Sequence, residues 1–136
     1  MQFILDTNIC IYIIKKKPSY LLQKFVDFSP GNLAVSSVTV SELYYGVYKS
    51  QHIEKNFQAL QNFLLPLEVL SFDDEAASFY GQIRAFLEKN GTPIGSLDLM
   101  IAAHALSLGV PLVTNNTKEF LRVPNLLIEN WVENEP

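Results

Sequence analysis

Short apolar runs and longer amphipathic stretches take turns along the chain. The runs at 2–5, 33–36, 67–70, 110–114 and 126–129 are of strand length and apolar enough to be buried. Between them the apolar positions recur at helical spacing. Thr7 or Asn8 can cap a first helix reaching Ile14, which Pro18 stops. A second helix is predicted over 19–28, with Leu21, Leu22, Phe25 and Val26 on one face. A third spans 38–48, where Leu43 and Val47 are four apart. A fourth spans 53–65, with Phe57, Leu60, Phe63 and Leu64 on one stripe. Asp73-Asp74-Glu75 opens a long helix to about Asn90, since acids in a first turn suit the helix dipole. Ser96 caps a helix to Leu108 that Gly109 closes, and a short one runs through Phe120. Turns are predicted at 29–32, at 90–95 and at Asn115-Asn116. Strands alternating with helices predict an α/β protein: one domain over 1–136, with a central parallel sheet of four to five strands and helices on both faces. The chain shows no internal repeat, low-complexity tract or linker.

Composition narrows this. With 136 residues and 49% apolar content the chain can build a full core, and its 18% charged residues fall below the usual level of about 25%. The one cysteine, Cys10, excludes an internal disulfide framework and fits a reducing cytoplasm; between Ile9 and Ile11 it reads as a buried thiol. Asp6 and Asn8 interrupt the N-terminal apolar stretch, and Lys15-Lys16-Lys17 follows it, which is the wrong order for a signal peptide. No stretch reaches the roughly 18 to 20 apolar residues that span a bilayer. A soluble cytoplasmic protein, with no membrane partner, is expected. A net charge of −4 argues against a broad electrostatic grip on nucleic acid. It leaves a nuclease open, because bound divalent cations reverse the potential in a carboxylate-lined cleft.

The candidate chemistry lies in four acids. Asp6 halts the run Phe3-Ile4-Leu5, Glu42 sits in Ser41-Glu42-Leu43-Tyr44-Tyr45-Gly46, Asp98 in Ile94-Gly95-Ser96-Leu97-Asp98, and Glu119 in Thr114-Asn115-Asn116-Thr117-Lys118-Glu119-Phe120. Each also has a structural reading. Asp6 can be a helix cap, Glu42 and Glu119 can close capping boxes behind Thr39 and Asn116, and Asp98 can be a first-turn acid behind Ser96. Taken singly, these are at least as good as catalysis. Taken together, each acid lies within a helical turn of the same predicted sheet edge, where open α/β sheets bind ligands. Four carboxylates converging there would repel one another unless cations stood between them. With only 10 Lys and Arg in the chain, a metal is the better partner for that charge. Hard oxygen ligands suit Mg²⁺ or Mn²⁺, and such a cup serves phosphodiester hydrolysis. There is no phosphate-binding glycine loop, no zinc spacing at His52 and His104, and no nucleophile elbow.

The motifs around the acids, with Leu5-Asp6-Thr7-Asn8, Leu99-Met100-Ile101-Ala102-Ala103-His104-Ala105 and Val113-Thr114 added, resemble in order and spacing those of PIN-domain ribonucleases. Among these they are most similar to the VapC toxins of bacterial type II toxin–antitoxin pairs. The resemblance covers essentially the whole chain. It implies a PIN-like fold and Mg²⁺- or Mn²⁺-dependent endoribonuclease activity on structured RNA. The Asn115-Asn116 turn and Glu119 resemble the enteric-type branch, which is associated with cleavage of initiator tRNA in its anticodon region. Residue by residue, Asp6, Glu42 and Asp98 fall on the family's three invariant acids. Many relatives carry aspartate where this chain has Asn116, so Glu119 is expected to supply the fourth carboxylate. Thr7, Asn8, Thr114 and Asn116 are expected to support the acids through hydrogen bonds.

The implied reaction is in-line attack of water on the phosphodiester, leaving a 5′-phosphate and a 3′-hydroxyl. Asp6 and Asp98 would hold the principal ion, with Glu42 and Glu119 completing the cup. Lys15, Lys16, Lys17, Arg84 and Lys89 could touch the RNA backbone. A VapB-type antitoxin is the implied partner, and operator DNA would be reached only through it. A homodimer is expected from the aromatic excess at Phe25, Phe28, Tyr44, Tyr45, Tyr48, Phe57 and Phe63. The alternatives are a PIN-fold binding module that acts with an antitoxin on operator DNA without significant cleavage, and a DNA nuclease of related fold.

Overall fold

The computed structural model describes residues 1–132; positions 133–136 of the expected domain lie outside the described residues. The elements in chain order are β1 (Phe3–Leu5), α1 (Thr7–Ile14), α2 (Ser19–Phe28), β2 (Leu33–Ser36), α3 (Ser37–Tyr48), α4 (Ile53–Leu64), β3 (Glu68–Leu70), α5 (Asp74–Lys89), α6 (Ser96–Leu108), β4 (Leu112–Val113), α7 (Thr117–Phe120) and β5 (Ile128–Glu129). All five strands are parallel and stand in the order β3-β2-β1-β4-β5. The α/β reading therefore holds, with the sheet at the upper end of the expected strand number.

Side chains alternate across β1 and divide the core in two. Phe3 and Leu5 pack with Ile9, Leu21, Phe25 and Leu33 under α1 to α4. Ile4 faces the other way, onto Ile83, Leu87, Ile101 and Phe120 under α5 to α7. Helices thus cover both faces of the sheet. Among the aromatics expected to be in excess, Phe25 and Phe63 stack on each other at 5.4 Å, and Phe28 stacks on Trp131 at 5.5 Å. Tyr45, Tyr48 and Phe57 remain exposed.

Several local expectations change. Asp6, not Thr7 or Asn8, is the residue before α1, and Ser36 caps α3 by accepting the Val38 amide at 3.1 Å. The cap of α6 is Gly95, not Ser96, and no side chain bonds there; Gly109 does close it, with φ 70. The strand expected over 110–114 shortens to Leu112–Val113, because Pro111 has no amide hydrogen to give the ladder. The run at 67–70 is not a buried strand: β3 is the sheet's edge, and Val69 is exposed.

Candidate active site

The chain builds β1, β2 and β3 outward to one side, then crosses back to place β4 and β5 on the other. The strand order reverses between β1 and β4, so the crevice beyond their C-terminal ends is the natural ligand site. Leu5 pairs with Val113 across those strands, and the next residue on each side is polar. Asp6 and Thr114 therefore meet, and the Thr114 hydroxyl donates to Asp6 Oδ2 at 2.8 Å. Asp6 Oδ1 accepts the Thr7 amide at 2.7 Å. The carboxylate is only 3% exposed. Burial raises its pKa despite both hydrogen bonds, which oppose the shift.

Asp98 enters from the first turn of α6. Its carboxyl is pushed from 3.8 up to about 7, first by burial, then by a hydrogen bond shared with Glu119 and by the charges of Asp6 and Glu119. Asp98 thus feels both Asp6 and Glu119. Glu119 comes from the single turn of α7 and accepts from the Asn116 side chain at 3.3 Å. The Asn116 amide donates to Thr114 Oγ1 at 2.9 Å. The capping-box reading of Glu119 fails on that geometry, since the amide its carboxylate would take is already bonded. The same reading fails for Glu42, which lies in the second turn of a helix that begins at Ser37, ahead of Thr39.

Glu42 stands apart. It is half-buried on α3 and lines a groove with Thr7, Asn8, Lys15, Tyr45 and Lys49, without a hydrogen bond among the described residues. Lys16 and Lys17 are exposed just beyond α1, and Lys89 is exposed at the end of α5. Arg84 is engaged already, pairing with Glu88 at 2.9 Å and donating to the Tyr80 hydroxyl at 3.1 Å. That is the only salt bridge among the described residues. No Lys or Arg there neutralises the acids in the crevice.

Four supporting contacts escaped the sequence. Thr7 Oγ1 donates to Thr39 Oγ1 at 3.2 Å, Asn115 to the Tyr12 hydroxyl at 3.2 Å, and Arg122 to the Pro93 carbonyl at 2.8 Å, while Ser36 meets His104 at 2.8 Å. They join residues from 29 to 103 positions apart, so no local spacing marks them. The Asn115 side-chain oxygen, Oδ1, is buried without a partner among the described residues.

The donor set suits a hard cation: it offers oxygens alone, and Asp98 is held up by burial, by Glu119 and by the charge of Asp6. Among the described residues no three Asp, Glu, His or Cys side chains are already close enough to grip an ion together. Small side-chain movements would have to bring them in. The raised Asp98 pKa has a measurable consequence in metal-free buffer. Its folded value lies above 3.8, so its contribution to stability is full below about 4 and is lost as pH rises through about 7. Wild type should lose melting temperature relative to Asp98→Asn across that window. Parallel melting curves would place the proton elsewhere.

A PIN domain family model matches residues 3–126. The chain is 47% identical to tRNA(fMet)-specific endonuclease VapC of Shigella flexneri, over 96% of this chain and 98% of that one. It is 46% identical to ribonuclease VapC2 of Haemophilus influenzae, over 97% and 99%. Among solved structures, DNA-bound VapBC from Salmonella typhimurium superposes with a TM-score of 0.92 at 46% identity, covering 96% of this chain and 98% of that one. VapBC2 of Rickettsia felis, bound to a promoter DNA fragment, gives 0.90 at 44%, covering 96% and 99%. On these matches the chain belongs to the PIN-domain family and, within it, to the VapC ribonucleases.

Proposed function

We propose that this chain is the toxin of a type II toxin–antitoxin pair, a divalent-metal-dependent endoribonuclease whose substrate is initiator tRNA. The observation that carries the reading is the group of acids at the topological switch: Asp6 is buried, half-buried Asp98 is raised by burial, by Glu119 and by the charge of Asp6, and no Lys or Arg among the described residues forms a salt bridge with them. The substrate follows from the relatives named tRNA(fMet)-specific endonucleases at 46 to 47% identity.

Asp6, Asp98 and Glu119 would hold Mg²⁺ or Mn²⁺, with Glu42 completing the site from across the groove. When bound, the cation supplies positive charge at the scissile phosphate and acidifies the attacking water. The protein's part is orientation. Thr114 and the Thr7 amide each occupy one side of the Asp6 carboxylate and turn its remaining lone pairs into the crevice. Asn116 does the same for Glu119. Asp98, whose carboxyl is held up at about 7, would have to be ionised to serve as a ligand. Of the five basic positions expected at the RNA backbone, Lys15 borders the groove beside Glu42, which Lys49 also lines. The other four basic positions are more distant candidates, and Arg84 would first have to release Glu88.

A VapB-type antitoxin is the proposed partner, with operator DNA reached through it, by analogy with the DNA-bound VapBC structures. Exposed Tyr45, Tyr48 and Phe57 are surfaces for such assembly, including a homodimer. No helix among the described residues is long and apolar enough to cross a membrane.

The test is cleavage of initiator tRNA by the purified chain with Mg²⁺, with Mn²⁺ and with EDTA. Metal-dependent cleavage with 5′-phosphate ends is expected; intact RNA under all conditions would favour the binding-module alternative. Glu119→Gln should raise the Mg²⁺ requirement and slow cleavage, and adding Asn116→Asp should not restore either. Superimposable Mg²⁺ titrations of wild type and Glu119→Gln would leave a site of three carboxylates.

A further inference from the structure

His104 lies in α6, 1% exposed, with Phe72 edge-on at 5.6 Å between ring centroids. Its Nδ1 is 2.8 Å from Ser36 Oγ. Ser36 ends β2 and caps α3, where its Oγ accepts the Val38 amide at 3.1 Å. With that amide on one lone pair, the hydroxyl hydrogen is free to point at Nδ1, which places the ring's own hydrogen on Nε2. Burial lowers the His104 pKa and so favours this neutral, accepting form.

The contact ties together two helices that carry site residues. Asp98 is in the first turn of α6, and Glu42 is one turn beyond Val38 in α3. The first turn of α3 is held from the other side by Thr39, which accepts from Thr7, the neighbour of Asp6. Glu42 has no hydrogen bond of its own among the described residues, so the placement of α3 alone sets its distance from the other acids. We propose that His104 is a positioning residue: through Ser36 it fixes the start of α3 against α6 and thereby holds Glu42 within reach of a cation shared with Asp6, Asp98 and Glu119. This rests on the metal-dependent reading above. Packing alone would ask only for a side chain of similar volume at position 104.

Mn²⁺ binding can be read without turnover, as the rise in melting temperature of the full chain over a Mn²⁺ titration. His104→Leu keeps the volume and loses the acceptor; its half-saturating Mn²⁺ should rise about tenfold or more. His104→Asn offers Oδ1 to Ser36 and should bind close to wild type. Ser36→Gly keeps a tolerated capping residue but removes the hydroxyl, and with it both the His104 and the Val38 bonds; it should weaken Mn²⁺ binding at least as much as His104→Leu, even if the latter fails to fold. The double variant Ser36→Gly/His104→Leu should bind no worse than Ser36→Gly alone, because the Ser36–His104 bond is already lost in each single variant. Wild-type Mn²⁺ binding in His104→Leu or in Ser36→Gly overturns the inference, as does a folded His104→Asn that binds as weakly as His104→Leu. A wild-type chain with no Mn²⁺-induced rise overturns the metal reading itself, and the inference with it.

Discussion

Asp6→Asn and Asp98→Asn should each lower RNA cleavage by about a thousandfold or more while the fold stays intact. A bound cation contributes several kcal/mol to charge stabilisation in phosphodiester hydrolysis. Losing about 4 kcal/mol of it amounts to roughly three powers of ten in rate. Asparagine keeps the size of the side chain and an oxygen for the Thr7 amide, so the β1–β4 edge should hold. Stability should not fall, because both carboxyls are held above their ordinary pKa by burial, and the amide carries no charge to desolvate. Single-turnover cleavage of initiator tRNA, beside thermal melts of the same preparations, separates the two effects. Wild-type rates in either purified variant would remove the acids from the reaction.

Phe120→Ala is expected to be the most damaging single change to stability. Phe120 is among the largest fully buried side chains and fills the core between Ile4, Ile101 and Leu112 on the α5–α6 side of the sheet. Truncating such a phenylalanine costs about 3–5 kcal/mol, a large share of the roughly 5–15 kcal/mol that holds a domain together. Its helix, Thr117–Phe120, is a single turn and cannot persist without that anchor. Glu119 is the preceding residue, so its carboxylate should lose its place beside Asp98 at the same time. The melting temperature should drop by about 10 °C, and the Mg²⁺ requirement should rise in whatever protein remains folded. Phe120→Leu should recover most of both. A drop of only a degree or two for Phe120→Ala would mean that the surrounding core collapses into the space.

How far each feature could be read from the chain follows from how local its cause is. The bounds of α2 and β2, at 19–28 and 33–36, and those of α6, at 96–108, match the expectation because apolar spacing, proline and glycine act within a turn or two. The four acids were recognisable for the same reason: a charge embedded in apolar sequence is visible without a partner. Their partners were not. Thr114 bonds Asp6 across 108 positions because β4 lands beside β1, and that order is decided by how both faces of the sheet become covered. Asp6 caps α1 as one reading of the sequence had it, whereas the caps at Ser36 and Gly95 shifted by one or more residues, since packing sets where each helix enters. Glu42 and Glu119 both looked like capping-box residues in sequence, yet α3 begins too early for one, and Thr114 takes the amide that the other would need. Asp98 carries no mark in sequence of a pKa near 7. That value comes first from burial and then from the closeness of Glu119 and Asp6, and separation along the chain does not enter that energy.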